Sequence, residues 1–251
     1  MIISGVTLNG VTVVDAPAVT SGLMYYIDAG NAASYSGSGT SINNIAGTAP
    51  GAATIVNSPS FTSSGAGSYF TFNGSTNVIY TPNLISLFNS PVNENVTLET
   101  WVRTSSDNGV AVSEQGNSPI STGWHDSQVE IVSGSLHVRV WTMPVEPNLT
   151  VGSVTRNQWQ QYVMTYDSAT STLRGYINGS TTTSQTGVVR LSPQEGNAPQ
   201  LYYTLMYQDS TSLGDGSSLA GDWSVFKVYN RALSAAEVTQ NFNALRGRYS
   251  V

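Results

Sequence analysis

The sequence predicts an all-β fold, a sandwich or barrel built as one main domain and closed by a single short helix. Three observations predict it. From Gly22 onward, short runs rich in Val, Ile, Tyr, Phe and Trp are separated by clusters of Gly, Ser, Asn and Pro, the pattern of strands joined by tight turns. One segment, near the end, carries apolar residues at helical spacing. Charged residues make up 10% of the 251 residues, against about 25% in ordinary soluble domains, and Ser, Thr, Gly and Asn take their place. A chain of this length can bury a substantial core as one sandwich, so length does not force a division.

Residues 1–20 alternate weakly, at Ile3, Val6, Leu8, Val11 and Val13, around Asn9-Gly10, a dipeptide suited to a tight hairpin turn, and close on Pro17. They read as an arm for attachment or assembly, ahead of a main domain over 21–251. The clearest strands of that domain are Val96 to Arg103, Ser135 to Trp141, Gln161 to Tyr166, Leu173 to Ile177 and Trp223 to Tyr229. In the second of these Leu136, Val138 and Val140 share one face, as in a sheet with one buried side. Asn178-Gly179 tolerates the positive φ of a turn and predicts a meander through 161–186. Ser234-Ala-Ala-Glu237 is a capping box, Val238, Phe242 and Leu245 share a helical face, and Gly247 supplies a stop. The Ser/Gly-rich stretches 34–41 and 62–68 are short enough to be loops.

The net charge is −6, with one lysine, Lys227, and scattered arginines, so no basic stripe is present to neutralise phosphates and a nucleic-acid partner is not expected. With no Cys and two His, at positions 125 and 137, neither disulfides nor a zinc centre are expected. Neither a basic leader with a long apolar core nor a run of 18 apolar residues occurs, so a signal peptide and a membrane span are not expected. Four Asn-x-Ser/Thr sequons, at Asn73, Asn95, Asn148 and Asn178, are what chance gives in a chain this rich in Asn and Thr.

Several landmarks in order, Gly22 to Asp28, Phe70 to Gly74, Leu98 to Arg103, Trp159 to Val163 and above all Gly221 to Glu237, resemble the concanavalin A-like lectin and glucanase superfamily in its laminin-G-like, pentraxin-related branch. The resemblance covers 21–251 and implies a jelly-roll sandwich of two antiparallel sheets. Each landmark also has a structural cause: Gly74 makes room where a strand passes into a turn, Trp101 and Trp159 fill the space between sheets, and Tyr229 to Leu233 joins the last strand to the helix. The wording of Asp28 to Tyr35 and Asn241 to Tyr249 is similar to laminin-G-like domains of tailed-phage and other viral particle proteins. It implies a non-catalytic structural or adhesion subunit of a virion, assembled in the host cytoplasm as a homo-oligomer, with the arm on other virion proteins and the jelly roll outward toward a host-surface glycan. The alternative it implies is a soluble or cell-surface calcium-dependent lectin, and, less favoured, a glycoside hydrolase relative.

Glycosidases flank the scissile bond with two carboxylates, and in this superfamily they sit on alternate positions of one strand. No Glu-x-Asp-x-x-Glu run occurs, and Glu99 and Glu130 each stand alone in a strand, where a lone carboxylate is usually solvated. His125-Asp126 beside Trp124 reads as a loop, and no Gly-x-Ser-x-Gly elbow is present, so an enzyme is not expected. The turn at Ser106-Asp107-Asn108 and the pair Gln208-Asp209 resemble the positions from which pentraxin relatives draw calcium ligands; Asp107, Asn108, Gln208 and Asp209 are therefore the candidate metal ligands. Tyr207 stands where relatives place an acid, although Asp215 and Asp222 lie nearby, and plain Asx turns without metal are the favoured alternative. For a sugar, Trp124, Trp141 and Tyr207, with Tyr202 and Tyr203, offer an aromatic platform, although most are expected in the core or an interface.

Overall fold

The computed structural model describes residues 5–8, 11–14, 16–48, 50–88, 94–116, 125–142, 148–191, 200–208 and 217–251. The chain opens with a hairpin of β1 (Gly5–Leu8) and β2 (Val11–Val14), in register Val6 to Val13 and Leu8 to Val11. Strands β3 (Leu23–Asp28), β4 (Ser41–Ile42), β5 (Ala53–Val56), β6 (Ser60–Thr62), β7 (Tyr69–Asn73) and β8 (Val78–Tyr80) follow, and a 3-10 turn at Ile85–Leu87 ends the first half. The second half holds β9 (Val96–Arg103), β10 (Gly109–Gln115), β11 (His125–Val132), β12 (Ser135–Val138), β13 (Leu149–Ser153), β14 (Gln160–Asp167), β15 (Thr172–Ile177), β16 (Ser180–Thr186), β17 (Tyr202–Leu205) and β18 (Ala220–Tyr229), closed by α1 (Ala235–Arg246).

Two sheets form the sandwich. The first runs β13-β12-β11-β10-β17-β8-β5-β4; the second runs β16-β15-β14-β9-β18-β7-β6, with β3 also on β18, and every strand pairing is antiparallel. Neighbours such as β9 beside β18 and β10 beside β17 are far apart in sequence, as a jelly roll requires. The main core lies between the sheets, where Val112, Val129, Leu136 and Tyr203 of the first meet Leu98, Val102, Trp223 and Phe226 of the second.

The outer face of the second sheet is apolar as well, and α1 covers it. Val163, Tyr176 and Tyr229 pack with Val238 and Leu233, and Trp101 and Val225 pack with Leu245 and Tyr249. Trp101 is stacked on Phe242 at 5.8 Å and 3° between planes. Trp101 therefore lies under the helix and Trp159 against Tyr249 just past it, neither of them between the sheets where the sequence led us to expect them; Trp223 fills the space between the sheets. The alternation of a strand names two faces without saying which neighbour covers either.

The helix begins as its capping box predicts, with Ser234 Oγ accepting from Glu237 N and Glu237 Oε2 accepting from Ser234 N at 2.9 Å. Arg231, donating to both Glu237 oxygens, with further help from Ser234, holds that carboxyl down at about 2 against the cost of its burial. The helix ends at Arg246, although Gly247 closes it in the right-handed conformation, at φ −60.

Beneath α1 lies a buried ion pair. Glu99 of β9 stands opposite Lys227 of β18, and its Oε1 accepts from Lys227 Nζ and from Gln161 Nε2, both at 3.1 Å. Its Oε2 accepts from Asn241 Nδ2 of the helix at 2.7 Å. Asn241 Oδ1 in turn accepts from Val19 N at 2.7 Å, and Tyr229 Oη donates to the Val19 carbonyl at 3.1 Å. Val19, within the segment read as an arm, is thus packed against the sheet and the helix.

Three expectations about polar residues are corrected. Glu99 and Glu130 are buried and partnered, not solvated. Asp126 shares β11 with Glu130, so the latter does not stand alone. His125 and Asp126 open that strand instead of lying in a loop. The strand expected to reach Trp141 ends at Val138.

Replacing Glu99 by Ala leaves the Lys227 ammonium buried without its carboxylate and removes one of the two bonds from Asn241 Nδ2 to the sheet, the other going to Tyr229 Oη. A loss of about 3–5 kcal/mol is expected, measured by urea unfolding; a loss under about 1 kcal/mol would show that the pair does not hold the helix down.

Candidate functional site

Adjacent strands β7, β18 and β9 bring Thr71, Asp222 and Arg103 into a row, since Asp222 stands directly opposite both Thr71 and Arg103. Their chain neighbours Phe70, Phe72, Trp223 and Val102 point into the core, so the row faces outward. Arg103 donates from Nε to Asp222 Oδ2 at 2.8 Å and sets Nη2 2.7 Å from the same oxygen; Thr71 Oγ1 donates to Asp222 Oδ1 at 2.6 Å. Burial works against the guanidinium's charge, but the hydrogen bond and charge of Asp222 outweigh it and raise the Arg103 pKa above its ordinary value. Both side chains remain within reach of solvent, 33% and 15% exposed.

The row floors a cleft of about 400 Å³ whose wall is made by Thr104, Ser105 and Asn157. Thr104 fixes that wall: its hydroxyl donates to the Ala220 carbonyl at 2.6 Å and accepts from Ser106 N at 3.0 Å, while its carbonyl accepts from Asn157 N at 2.8 Å. Gly221 lets β18 run close against Arg103 and Thr104. A Cβ there would sit 2.6 Å from the Arg103 carbonyl oxygen, and its φ of +146 disfavours a side chain in any case. To one side the Arg103 guanidinium lies 5.0 Å from the Tyr69 ring centroid and 5.3 Å from that of Trp159, which itself packs on Tyr249 at 4.7 Å. The cleft thus offers a carboxylate, a guanidinium and the Thr71 hydroxyl in fixed positions, with the exposed Ser105 hydroxyl and Asn157 amide at its wall and two aromatic rings beside it.

Sequence reasoning missed this site because its central pair is 119 positions apart and only the sheet order joins it. The signal available was that Leu98–Arg103 and Gly221–Glu237 were both landmarks, each with a charged residue where the apolar alternation leaves an outward position.

The expected calcium ligands have other partners. Asp107 forms an ion pair with Arg156, and its carbonyl accepts from Gly134 N at 2.8 Å. Asn108 Oδ1 accepts from Ser133 N at 3.0 Å. Both residues therefore brace the β11–β12 turn, where Ser133 and Gly134 take φ of 49 and 75. Backbone bonds from Val110 N to Ser217 O and from Met206 N to Ala111 O bring Gln208 to the same end of the first sheet. Gln208 is buried, and neither atom of its side-chain amide has a partner. Asp209, Asp215 and Trp124 lie outside the described residues.

Among the described residues no group of three or more His, Cys, Asp or Glu side chains is gathered as for a metal ion. Calcium requires about six to eight oxygens; of the described candidates, Asp107 Oδ2 is held by Arg156 and Asn108 Oδ1 by Ser133 N, while the Gln208 amide oxygen has no partner. Of the expected aromatic platform, Trp141 is half-buried in the loop after β12, its carbonyl accepting from Leu191 N, and Tyr207 is half-buried after β17, its carbonyl accepting from Thr204 Oγ1. Tyr203 belongs to the core.

Residues 73–239 match a family described as the concanavalin A-like lectin/glucanases superfamily. Comparison with curated proteins finds no match. Among solved structures the fold is similar to Trypanosoma rangeli sialidase in complex with sialic acid, with a TM-score of 0.61 and 14% identity, over 98% of this chain and 36% of that one. It is similar to the binding domain of Paraclostridial Mosquitocidal Protein 1, with a TM-score of 0.61 and 15% identity, over 89% of this chain and 52% of that one. It is also similar to the binding domain of Botulinum neurotoxin DC in complex with rat synaptotagmin II, with a TM-score of 0.60 and 12% identity, over 91% of this chain and 52% of that one. The chain spans about half or less of each of these proteins, and at such identities the likeness establishes the fold.

For the loops around Asp107, millimolar calcium is expected to leave the melting temperature unchanged. A rise that chelator reverses and Asp209→Ala abolishes would place a calcium site there.

Proposed function

The chain belongs to the concanavalin A-like lectin/glucanases superfamily, and we propose that it is a non-catalytic glycan-binding domain whose sugar site is the cleft at Thr71, Asp222 and Arg103. The observation that carries this reading is the outward row itself: an ion pair and a hydroxyl already locked in register on three strands, in a cleft of about 400 Å³. That volume falls within the range of small-ligand sites. Sugar hydroxyls both donate and accept, and the cleft supplies acceptors at Asp222 and Thr71, donors at Arg103 and both at Ser105. Because strand pairing and the Tyr69 and Trp159 rings already order these side chains, little conformational entropy remains to be lost on binding.

The disposition of the acids supports a non-catalytic reading. A glycosidase of the usual kind needs two carboxylates free to act on one bond, and the cleft holds one, engaged by Arg103 and Thr71. Elsewhere Glu114 is paired with Arg190 at 2.8 Å inside the core, and Arg139 lies 3.2 Å from Asp126 and 3.9 Å from Glu130. Each of these carboxylates faces a guanidinium that stabilises its charge and competes for its lone pairs.

Substituting Arg103 by Ala removes charge-assisted hydrogen bonds and is expected to weaken binding on a glycan array about ten- to a hundredfold. Unchanged binding would exclude the cleft. Incubation with β-glucans and sialosides is expected to release no reducing sugar, and release would overturn the non-catalytic reading.

A finer reading, an adhesion or decoration subunit of a viral particle, draws on the phrasing of Asp28 to Tyr35 and Asn241 to Tyr249 and on hairpin β1–β2, which pairs with no other strand among the described residues. Two strands alone are marginal in water, so a hairpin of this kind gains from a partner. Deleting residues 1–15 is then expected to preserve glycan binding and abolish self-association in light scattering; an unaltered oligomeric state would remove the assembly role.

A further inference from the structure

We infer that the cleft is selective by charge: it takes neutral, hydroxyl-rich sugars and rejects sugars that carry a carboxylate. The inference rests on the reading of the cleft as a glycan site and narrows it to a ligand class. Of the residues that line the cleft, Arg103 and Asp222 are the charged ones, and they cancel. The remaining lining residues are hydroxyl side chains, one amide and a glycine. The cation is also not free to change partner. Asp222 Oδ2 lies within reach of both Nε and Nη2 of Arg103, and Thr71 holds the other oxygen, so the pair is fastened by charge-assisted contacts on both sides of the carboxylate.

An incoming carboxylate would have to displace Asp222 from Arg103 or bind beside it. The first leaves Asp222 as an uncompensated anion in a partly buried cleft. The second sets two like charges against each other at close range in a medium that screens less than water. Neither cost arises for a neutral sugar. Adjacent hydroxyls on a ring fit the pair as it stands, one donating to a free lone pair of Asp222 and its neighbour accepting from the guanidinium. The net charge of −6 acts in the same direction at long range, slowing the approach of anions at low salt.

Thr71 gives the selectivity a second support. Its hydroxyl donates to Asp222 Oδ1 at 2.6 Å, a bond that stabilises the carboxylate as an anion and fixes its plane toward Arg103. Asp222 is thereby a specificity-determining residue: it accepts a hydroxyl and excludes an acid.

The test uses the full chain and two isosteric pairs, glucose-terminated against glucuronate-terminated oligosaccharides and galactose-terminated against galacturonate-terminated ones, by calorimetry at low and high salt. The neutral member of at least one pair is expected to bind about tenfold or more tightly than its acid. Asp222→Asn keeps the shape of the site and leaves Arg103 unpaired, so it is expected to reverse the preference and make acid binding salt-sensitive. Thr71→Val is expected to weaken neutral binding and to narrow its advantage over the acid. An acid bound as tightly as its neutral partner by the unaltered protein, or no gain of acid binding in folded Asp222→Asn, would overturn the inference while leaving the cleft a sugar site. Binding of both members that Arg103→Ala does not alter would instead sink the assignment of the cleft, and the charge selectivity with it. Absence of binding to every oligosaccharide, neutral or acidic, would have the same consequence.

Discussion

Two stacked sheets have four faces, and packing them together buries only two. The rest of this structure follows from the third, the outer face of the sheet that holds β9, β14 and β18, which is too apolar to meet water. Helix α1 covers it, and the cover is fastened at its centre by Glu99, whose carboxylate joins Lys227, Gln161 and Asn241 across two strands and the helix. A helix of 12 residues alone is marginal in water. Its capping box sets where it starts, and the Trp101, Val225 and Leu245 cluster with the Glu99 network holds it in place.

The cleft lies where that cover stops. Tyr249, just past the helix, packs on Trp159, and Trp159 with Tyr69 flanks the Arg103 guanidinium. Beyond these rings the outward positions of β7, β18 and β9 change from apolar to Thr71, Asp222 and Arg103, and the same sheet that buries aromatic side chains under the helix presents a polar row to solvent. One rigid surface thus serves packing over one part of its length and, in the function proposed, recognition over another. The pairing that orders the row is the strand pairing that builds the sheet.

Charge is scarce in this chain and is used in pairs. Glu99 with Lys227 and Glu114 with Arg190 are almost wholly buried, and Arg139 with Asp126 and Glu130 is nearly so. A single buried charge would cost several kcal/mol, whereas a hydrogen-bonded pair offsets much of that loss and fixes geometry. Arg103 with Asp222 follows the same rule at the surface, where water can still enter.

The sequence by itself determined the all-β class, the extent of β9, the capped helix and the positive-φ turn at Asn178-Gly179, because alternation, capping chemistry and backbone sterics act within a few residues. Its landmark motifs also pointed to the superfamily. What only the tertiary structure decided is which distant strands become neighbours. That choice put Trp101 under a helix and Trp159 against Tyr249 just past it, and turned Asp107 and Asn108 to bracing a turn. It also paired Glu99, read as a lone acid, with Lys227 at a separation of 128 positions, and set Arg103 against Asp222 at 119. The physical reason is common to all of these: ion pairing and burial depend on distances in space, and in an antiparallel jelly roll the order of strands across a sheet is not their order along the chain.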